Sequence, residues 1–140
     1  MTHEDASLIL KLYELRREEK LRAARAWFVS EFKAKSLEEF DALCPAGSET
    51  NAYFRMVATY WEMAASFVVN GILNKDLFIQ NSLEFLVVYE RIKPFLEAYR
   101  KRNNAPHQFR NLERCAELAG IWLNQQGPGV YESFQARFKP

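Results

Sequence analysis

The sequence predicts an all-α single domain over residues 1–140, with about five to seven helices wrapped around a central buried helix at 50–70. Three observations lead there. Leu, Ala, Glu, Arg and Lys recur throughout, while Gly and Pro number only 5 each and β-branched runs are few. Apolar residues repeat at helical spacing along nearly the whole chain, with short turn signals between the repeats. Finally, the stretch TNAYFRMVATYWEMAASFVVNG at 50–71 is apolar over far more than the one stripe a surface helix needs, so it belongs inside.

From 4 to 32 the spacing is helical: Leu8, Leu12 and Leu15, then Leu21, Ala24, Phe28 and Phe32. The charged run RREEK at 16–20 separates the two sets, either as an exposed bend or as the solvated middle of one long helix. Glu18 and Arg22 form an i, i+4 pair, which reads as a self-compensating solvated face rather than a basic patch. Trp27 and Phe28 are adjacent and cannot both face one core strip, so one of them is free for a second contact surface. The pattern Ser36-Leu-Glu-Glu39 resembles a capping box and starts a short helix that ends near Cys44-Pro45.

Thr50 or Ser48 supplies the N-cap of the central helix, and Gly71 suits its C′ position, where the chain turns left-handed. Asn74 caps the next segment, which Asn81-Ser82 interrupts or re-caps, and Leu83 to Tyr89 continue it. Pro94 removes a helical hydrogen bond and predicts a kink or restart. Arg100-Lys-Arg102 suit a helix C-terminus before the Asn103-Asn104 break. Pro106 is expected as the first residue of a last long helix, with Phe109, Leu112, Ala116, Ala119 and Leu123 on its inner seam. Gly127-Pro-Gly129 stops it. The tail keeps Tyr131, Phe134 and Phe138 at helical spacing and is expected to dock on its own core rather than on a second subunit.

The central helix carries a thin polar stripe. At about 100° per residue, Asn51, Arg55, Thr59, Glu62 and Ser66 fall within roughly 80° of one another. The plain reading is a solvent strip, or charges paired with neighbouring helices. The functional reading is a pocket wall with Arg55 and Glu62 as working charges, Thr59 beside them, and Tyr60 and Trp61 as aromatic sides. Arg55 and Glu62 lie two turns apart, about 10 Å along the axis, so they need not touch.

Composition excludes several classes. Charged residues at 26% and hydrophobic residues at 49% describe a globular chain rather than a disordered one. A net charge of +1 provides no general attraction to nucleic acid or anionic membrane, so neither partner is expected. The cluster Arg100, Lys101, Arg102 and Arg110 is the sharper basic reading, without an aromatic stacking platform beside it. No signal peptide or anchor pattern opens the sequence, and the default compartment is the cytoplasm. Cys44 and Cys115 lack CxxC spacing and read as buried thiols. His3 and His107 form no HExxH or Glu-x-x-His pattern, and no phosphate loop or GxSxG elbow occurs. No catalytic residue, metal site or cofactor is assigned.

The phrases LYELRREEKLRAARAWF at 12–28 and AYFRMVATYWEMAASFVVNGIL at 52–73 resemble a group of small, uncharacterised helical bacterial proteins, a domain-of-unknown-function family (DUF4760-like). The resemblance implies a helical fold with a buried acidic helix followed by Gly and a capped helix, and implies no catalytic residues. Some such proteins carry an N-terminal membrane helix; nothing in this sequence carries that feature over.

The function expected is a non-enzymatic interaction or regulatory module that assembles with itself or with another protein, its surplus aromatics Trp27, Trp122, Phe134 and Phe138 forming the interface. The alternative is a small-molecule pocket, or an unrecognised enzyme, on the Arg55/Glu62 stripe.

Overall fold

The computed structural model describes residues 1–140 and contains helices but no strand. In chain order the helices are α1 (His3–Arg16), α2 (Glu19–Glu31), α3 (Leu37–Leu43), α4 (Glu49–Val69) and α5 (Lys75–Asn81). They continue as α6 (Glu84–Ile92), a 3-10 turn (Lys93–Phe95), α7 (Leu96–Asn103), α8 (Arg110–Gln126) and α9 (Val130–Phe138). Nine segments exceed the expected number because places that read as optional interruptions are real ends.

The RREEK run is a bend: Glu18 accepts the Leu21 N–H at 2.9 Å and so begins α2 as its own cap. Ser82 and Leu83 separate α5 from α6, and Pro94 sits in the 3-10 turn that hands α6 over to α7. Ser48, not Thr50, caps α4, accepting the Asn51 N–H at 3.1 Å. Thr50 instead donates to the Leu43 carbonyl at 2.8 Å, tying the end of α3 to the start of α4. Gly71 follows the helix with φ +76°, as its position after the last turn requires.

One expectation fails. Pro106 does not begin α8; that helix starts at Arg110, and 105–109 form a turn closed by Gln108 N–H to the Ala105 carbonyl at 3.1 Å. The reason is tertiary. Asn104 ends α7 left-handed at φ 49°, and Phe109 then takes φ 58°, an unusual conformation for a bulky residue, which leaves its ring buried against Phe54 and Tyr99.

One cluster of 32 buried residues forms the core. At one pole, Phe28, Phe32, Phe40, Phe54 and Phe95 interlock, with Phe28 and Phe32 stacked at 4.6 Å and Phe40 and Phe95 at 5.0 Å. Towards the other pole, Trp61 meets Phe78 and Phe85 at 6.4 and 6.5 Å. Helix α4 carries Phe54 to the first pole and Trp61 to the second, and its most extensive packing is with α8 and α2. It runs parallel to α8, since Glu62 reaches Leu112 and the Ala65 carbonyl lies 3.6 Å from the Cys115 sulfur. The tail helix α9 docks on its own chain, against α8 and α6.

Candidate functional site

The structure divides the residues of the α4 stripe rather than gathering them. Arg55 and Thr59 are exposed and bond locally: the Arg55 Nε donates to Asn51 Oδ1 at 3.0 Å, and the Thr59 hydroxyl to the Arg55 carbonyl. Tyr60 and Trp61 point the other way, into the core. The Tyr60 hydroxyl donates to the Leu12 carbonyl near the end of α1, and burial pushes its pKa above the ordinary phenol value. Trp61 is wholly enclosed under the Arg16 guanidinium, 5.4 Å from its ring, and its indole N–H is the one buried side-chain donor without a partner. None of the larger cavities is lined by Arg55, Thr59, Tyr60, Trp61 or Glu62.

Glu62 is half-buried and both of its oxygens are engaged. Oε1 accepts the Leu112 N–H and Oε2 accepts the Asn111 side-chain amide, each at 2.8 Å. Leu112 is in the first turn of α8, where backbone N–H groups have no partner within the helix, and Phe109 has no side-chain oxygen to cap them. The carboxylate of α4 therefore caps α8 from outside, where the helix dipole also favours a negative charge.

The same device recurs. Asp5 accepts the Asn74 N–H at 2.8 Å, just before α5, and this bond with that from Thr2 holds its carboxyl below the usual carboxylate range. Arg25 donates to the Arg16 carbonyl at the end of α1 while pairing with Glu84 at 2.7 Å. Asn51 donates to the Cys44 carbonyl at the end of α3. Of the stripe residues, Glu62 and Asn51 thus serve the ends of neighbouring helices.

Two buried charges on α6 hold α9, Arg91 through helix-end carbonyls and Glu90 through side chains. Arg91, 4% exposed, donates to the carbonyls of Val29, Phe32 and Phe138, the last turns of α2 and α9. It pairs with no carboxylate. Glu90, 7% exposed, accepts from the Tyr131 hydroxyl and the Gln135 amide, both at 3.2 Å. Burial, reinforced by Glu90, raises the Tyr131 pKa well above the phenol range. Gly120 makes room for Tyr131: a Cβ there would stand 2.5 Å from the ring.

Beside α9 lies the largest cavity, a groove of about 710 Å³ between α9 and the edges of α2, α6 and α8. Its walls are mainly apolar: Val29, Leu83, Val87, Leu123, Val130, Phe134 and Phe138. Three polar residues complete it. Glu84 is held by Arg25, while Ser133 and Arg137 are exposed on the same face of α9. The volume lies within the ~300–1,000 Å³ typical of small-molecule sites. Of the residues expected at an interface, Phe134 and Phe138 are walls of this groove, whereas Trp27 and Trp122 are half-buried against the core. Sequence reasoning did not single out Val29, Leu83, Val87 and Val130. For Leu83, Val87 and Val130 the signal was the breadth of the apolar pattern in 83–89 and in the tail, more than one contact surface needs; Val29 carried no such signal.

Both cysteines are free and buried, and burial pushes Cys44 up to about 11 and Cys115 up to about 12, which leaves them protonated and inert as nucleophiles near neutrality. In the basic cluster, Arg100 pairs with Glu113 at 3.2 Å and Arg102 with Asp41 at 2.7 Å, so two of its four cations are already matched. No group of three or more His, Cys, Asp or Glu side chains is placed to hold a metal. No helix is long and apolar enough to cross a membrane.

Fold and site together define an all-α domain of unknown function whose polar interior serves helix ends. The chain belongs to the family described as Domain of unknown function (DUF4760), whose model matches residues 1–119. The matched segment ends within α8, so α9 and its side of the groove lie beyond it. No curated protein and no solved structure matches the chain.

Proposed function

We propose that this chain is a non-enzymatic binding module whose recognition site is the groove between α2, α6, α8 and α9, and that its ligand presents a single aliphatic chain. The observation that carries this reading is the groove itself, about 710 Å³ with seven hydrophobic residues among its ten. A concave, mainly apolar cleft with a few convergent polar groups is the usual form of a small-molecule site. Its Glu84 is neutralised by Arg25 and its Ser133 has no base beside it, so the groove offers binding without an arrangement for bond chemistry.

The test is titration calorimetry with octyl, decyl and dodecyl maltoside below their micelle concentrations. Each added pair of methylenes buries apolar surface worth about 1.6 kcal/mol, so affinity should rise on the order of tenfold per step until the groove is full. Ser133→Trp, which places an indole in the groove from an exposed position, should abolish binding while the fold persists. Affinity that ignores chain length, or survives Ser133→Trp, overturns the reading.

Self-association is a second reading, favoured by Leu10, Ile72 and Ile121, which are 60–64% exposed. On this reading, native mass spectrometry gives an integer multiple of 16.4 kDa. The Leu10→Glu, Ile72→Glu and Ile121→Glu triple variant then returns the monomer mass. A wild-type monomer at high concentration removes it.

A further inference from the structure

We infer that the groove selects an amphiphile with an anionic head, a free single-chain carboxylate such as a fatty acid, and that Arg137 is the residue that reads the head. This rests on the groove being the binding site. The argument is charge complementarity. Two charged residues line the groove, and one of them, Glu84, is neutralised by Arg25 in an ion pair at 2.7 Å. The other, Arg137, has no carboxylate within ion-pairing distance and no hydrogen-bond partner in the chain. Its guanidinium lies over the ring of Phe138, 4.7 Å from the centroid, and that ring is itself a wall of the groove. A cation held against the apolar wall places a charged head where its attached chain enters the cleft.

The surroundings reinforce the sign. A helix C-terminus repels anions, and Arg137 is in the last turn of α9. Here, however, the Phe138 carbonyl is occupied by Arg91, a buried cation with no carboxylate partner, so that end of α9 is not left negative. Glu132, the acidic residue of α9, is displaced roughly 140° around the helix from Arg137 and faces elsewhere. Ser133 stands one turn before Arg137 on the same face and supplies a hydroxyl donor to the same head. A guanidinium presents two parallel N–H groups, which match the two oxygens of a carboxylate.

The experiment compares dodecanoate, dodecyl maltoside, dodecyltrimethylammonium and dodecyl phosphate on the full chain at neutral pH, below their micelle concentrations. These probes differ in head, and the alkyl tail of dodecanoate is one methylene shorter than the dodecyl chain of the others, which works against it by about 0.8 kcal/mol, roughly fourfold in affinity. Dodecanoate is expected to bind about tenfold more tightly than the maltoside, with the ammonium weakest. Arg137→Gln should erase that preference, bringing dodecanoate down to the affinity the same variant has for the maltoside. Raising the salt should shrink the preference too, because the head lies at an exposed cation. If the four probes bind alike and Arg137→Gln changes nothing, the head assignment is wrong while the groove stands. If none binds, the groove reading itself has failed. Dodecyl phosphate binding more tightly than dodecanoate would move the ligand class from a carboxylate to a phosphate head and overturn the fatty-acid assignment.

Discussion

Glu62 on α4 and Arg137 on α9 are both charged residues on helices that line up, in sequence, with aromatic neighbours, yet the fold treats them oppositely. Glu62 has each oxygen bonded at 2.8 Å, to the first turn of α8, while along its stripe Arg55 bonds to the Asn51 side chain and Thr59 to the Arg55 carbonyl. Arg137 has no partner in the chain and borders a groove with seven apolar residues. The difference teaches how to read polar residues in an all-helical protein. Nine helices have eighteen ends, and each end leaves several backbone groups without partners. Where the helices cross, side chains of one supply what another lacks. A satisfied charge is therefore architecture first, and an unsatisfied charge beside an empty apolar surface is the better candidate for recognition.

The comparison breaks most visibly at Arg91. Arg91→Met leaves the Val29, Phe32 and Phe138 carbonyls without their donor, and should cost about 3 kcal/mol in urea unfolding. Hydrogen exchange in α9 should accelerate more than in α4; uniform exchange would show that Arg91 does not hold the tail in particular. Next is Gly120→Ala, whose Cβ would stand 2.5 Å from the Tyr131 ring. Displacing Tyr131 should cost roughly 2 kcal/mol and weaken ligand binding together with α9 protection. A variant as stable as the wild type would mean that α9 slides without penalty.

Glu62→Ala should cost about 1 kcal/mol, read as lower C-terminal stability and faster exchange of the Leu112 amide. Ligand affinity should not change, and a large loss of binding would return the α4 stripe to the candidate list. The buried tyrosines make stability depend on pH only in alkali. Burial raises Tyr89 to about 12, and Tyr131 is raised as well. The folded state thus holds their protons more tightly than the unfolded chain does. Their stabilisation is intact below pH 10, the ordinary phenol value, and is lost as pH rises from there towards the folded pKa. Tyrosinate absorbance should lag behind that of free tyrosine and then rise with unfolding, α9 first. The smallest stability effect belongs to Arg137→Gln, under about 0.5 kcal/mol, because nothing in the fold leans on that side chain. Its effect should be visible in binding alone.

Much of the fold is legible in the residues. The central helix, its Gly71 end, the interruption at Pro94 and the inner seam of α8 follow from spacing and cap chemistry. The choice of Ser48 over Thr50 as cap, and of a bend over one long helix at 16–20, is made by the structure. The tail's apolar pattern points to docking, and it docks. Less legible is anything that depends on which helix meets which. Pro106 carries a good helix-start signal, yet α8 begins four residues later, because Phe109 turns left-handed with its ring buried against Phe54 and Tyr99. The stripe 51–66 is a correct geometric observation, but its partners come from 50 residues away in the case of Glu62 and Leu112.

By itself the sequence determined that this chain is helical, where its principal helix lies, and that its interior is aromatic. Those properties are local: periodicity, propensity and caps act within a few residues of one another. Only the tertiary structure decided that Glu62 ends a distant helix, that Arg91 gathers carbonyls from two others, and that Arg137 faces an apolar groove without a partner. Those properties belong to the packing, because a polar group's role is set by the atoms that approach it, and in this protein the decisive ones come from elsewhere in the chain.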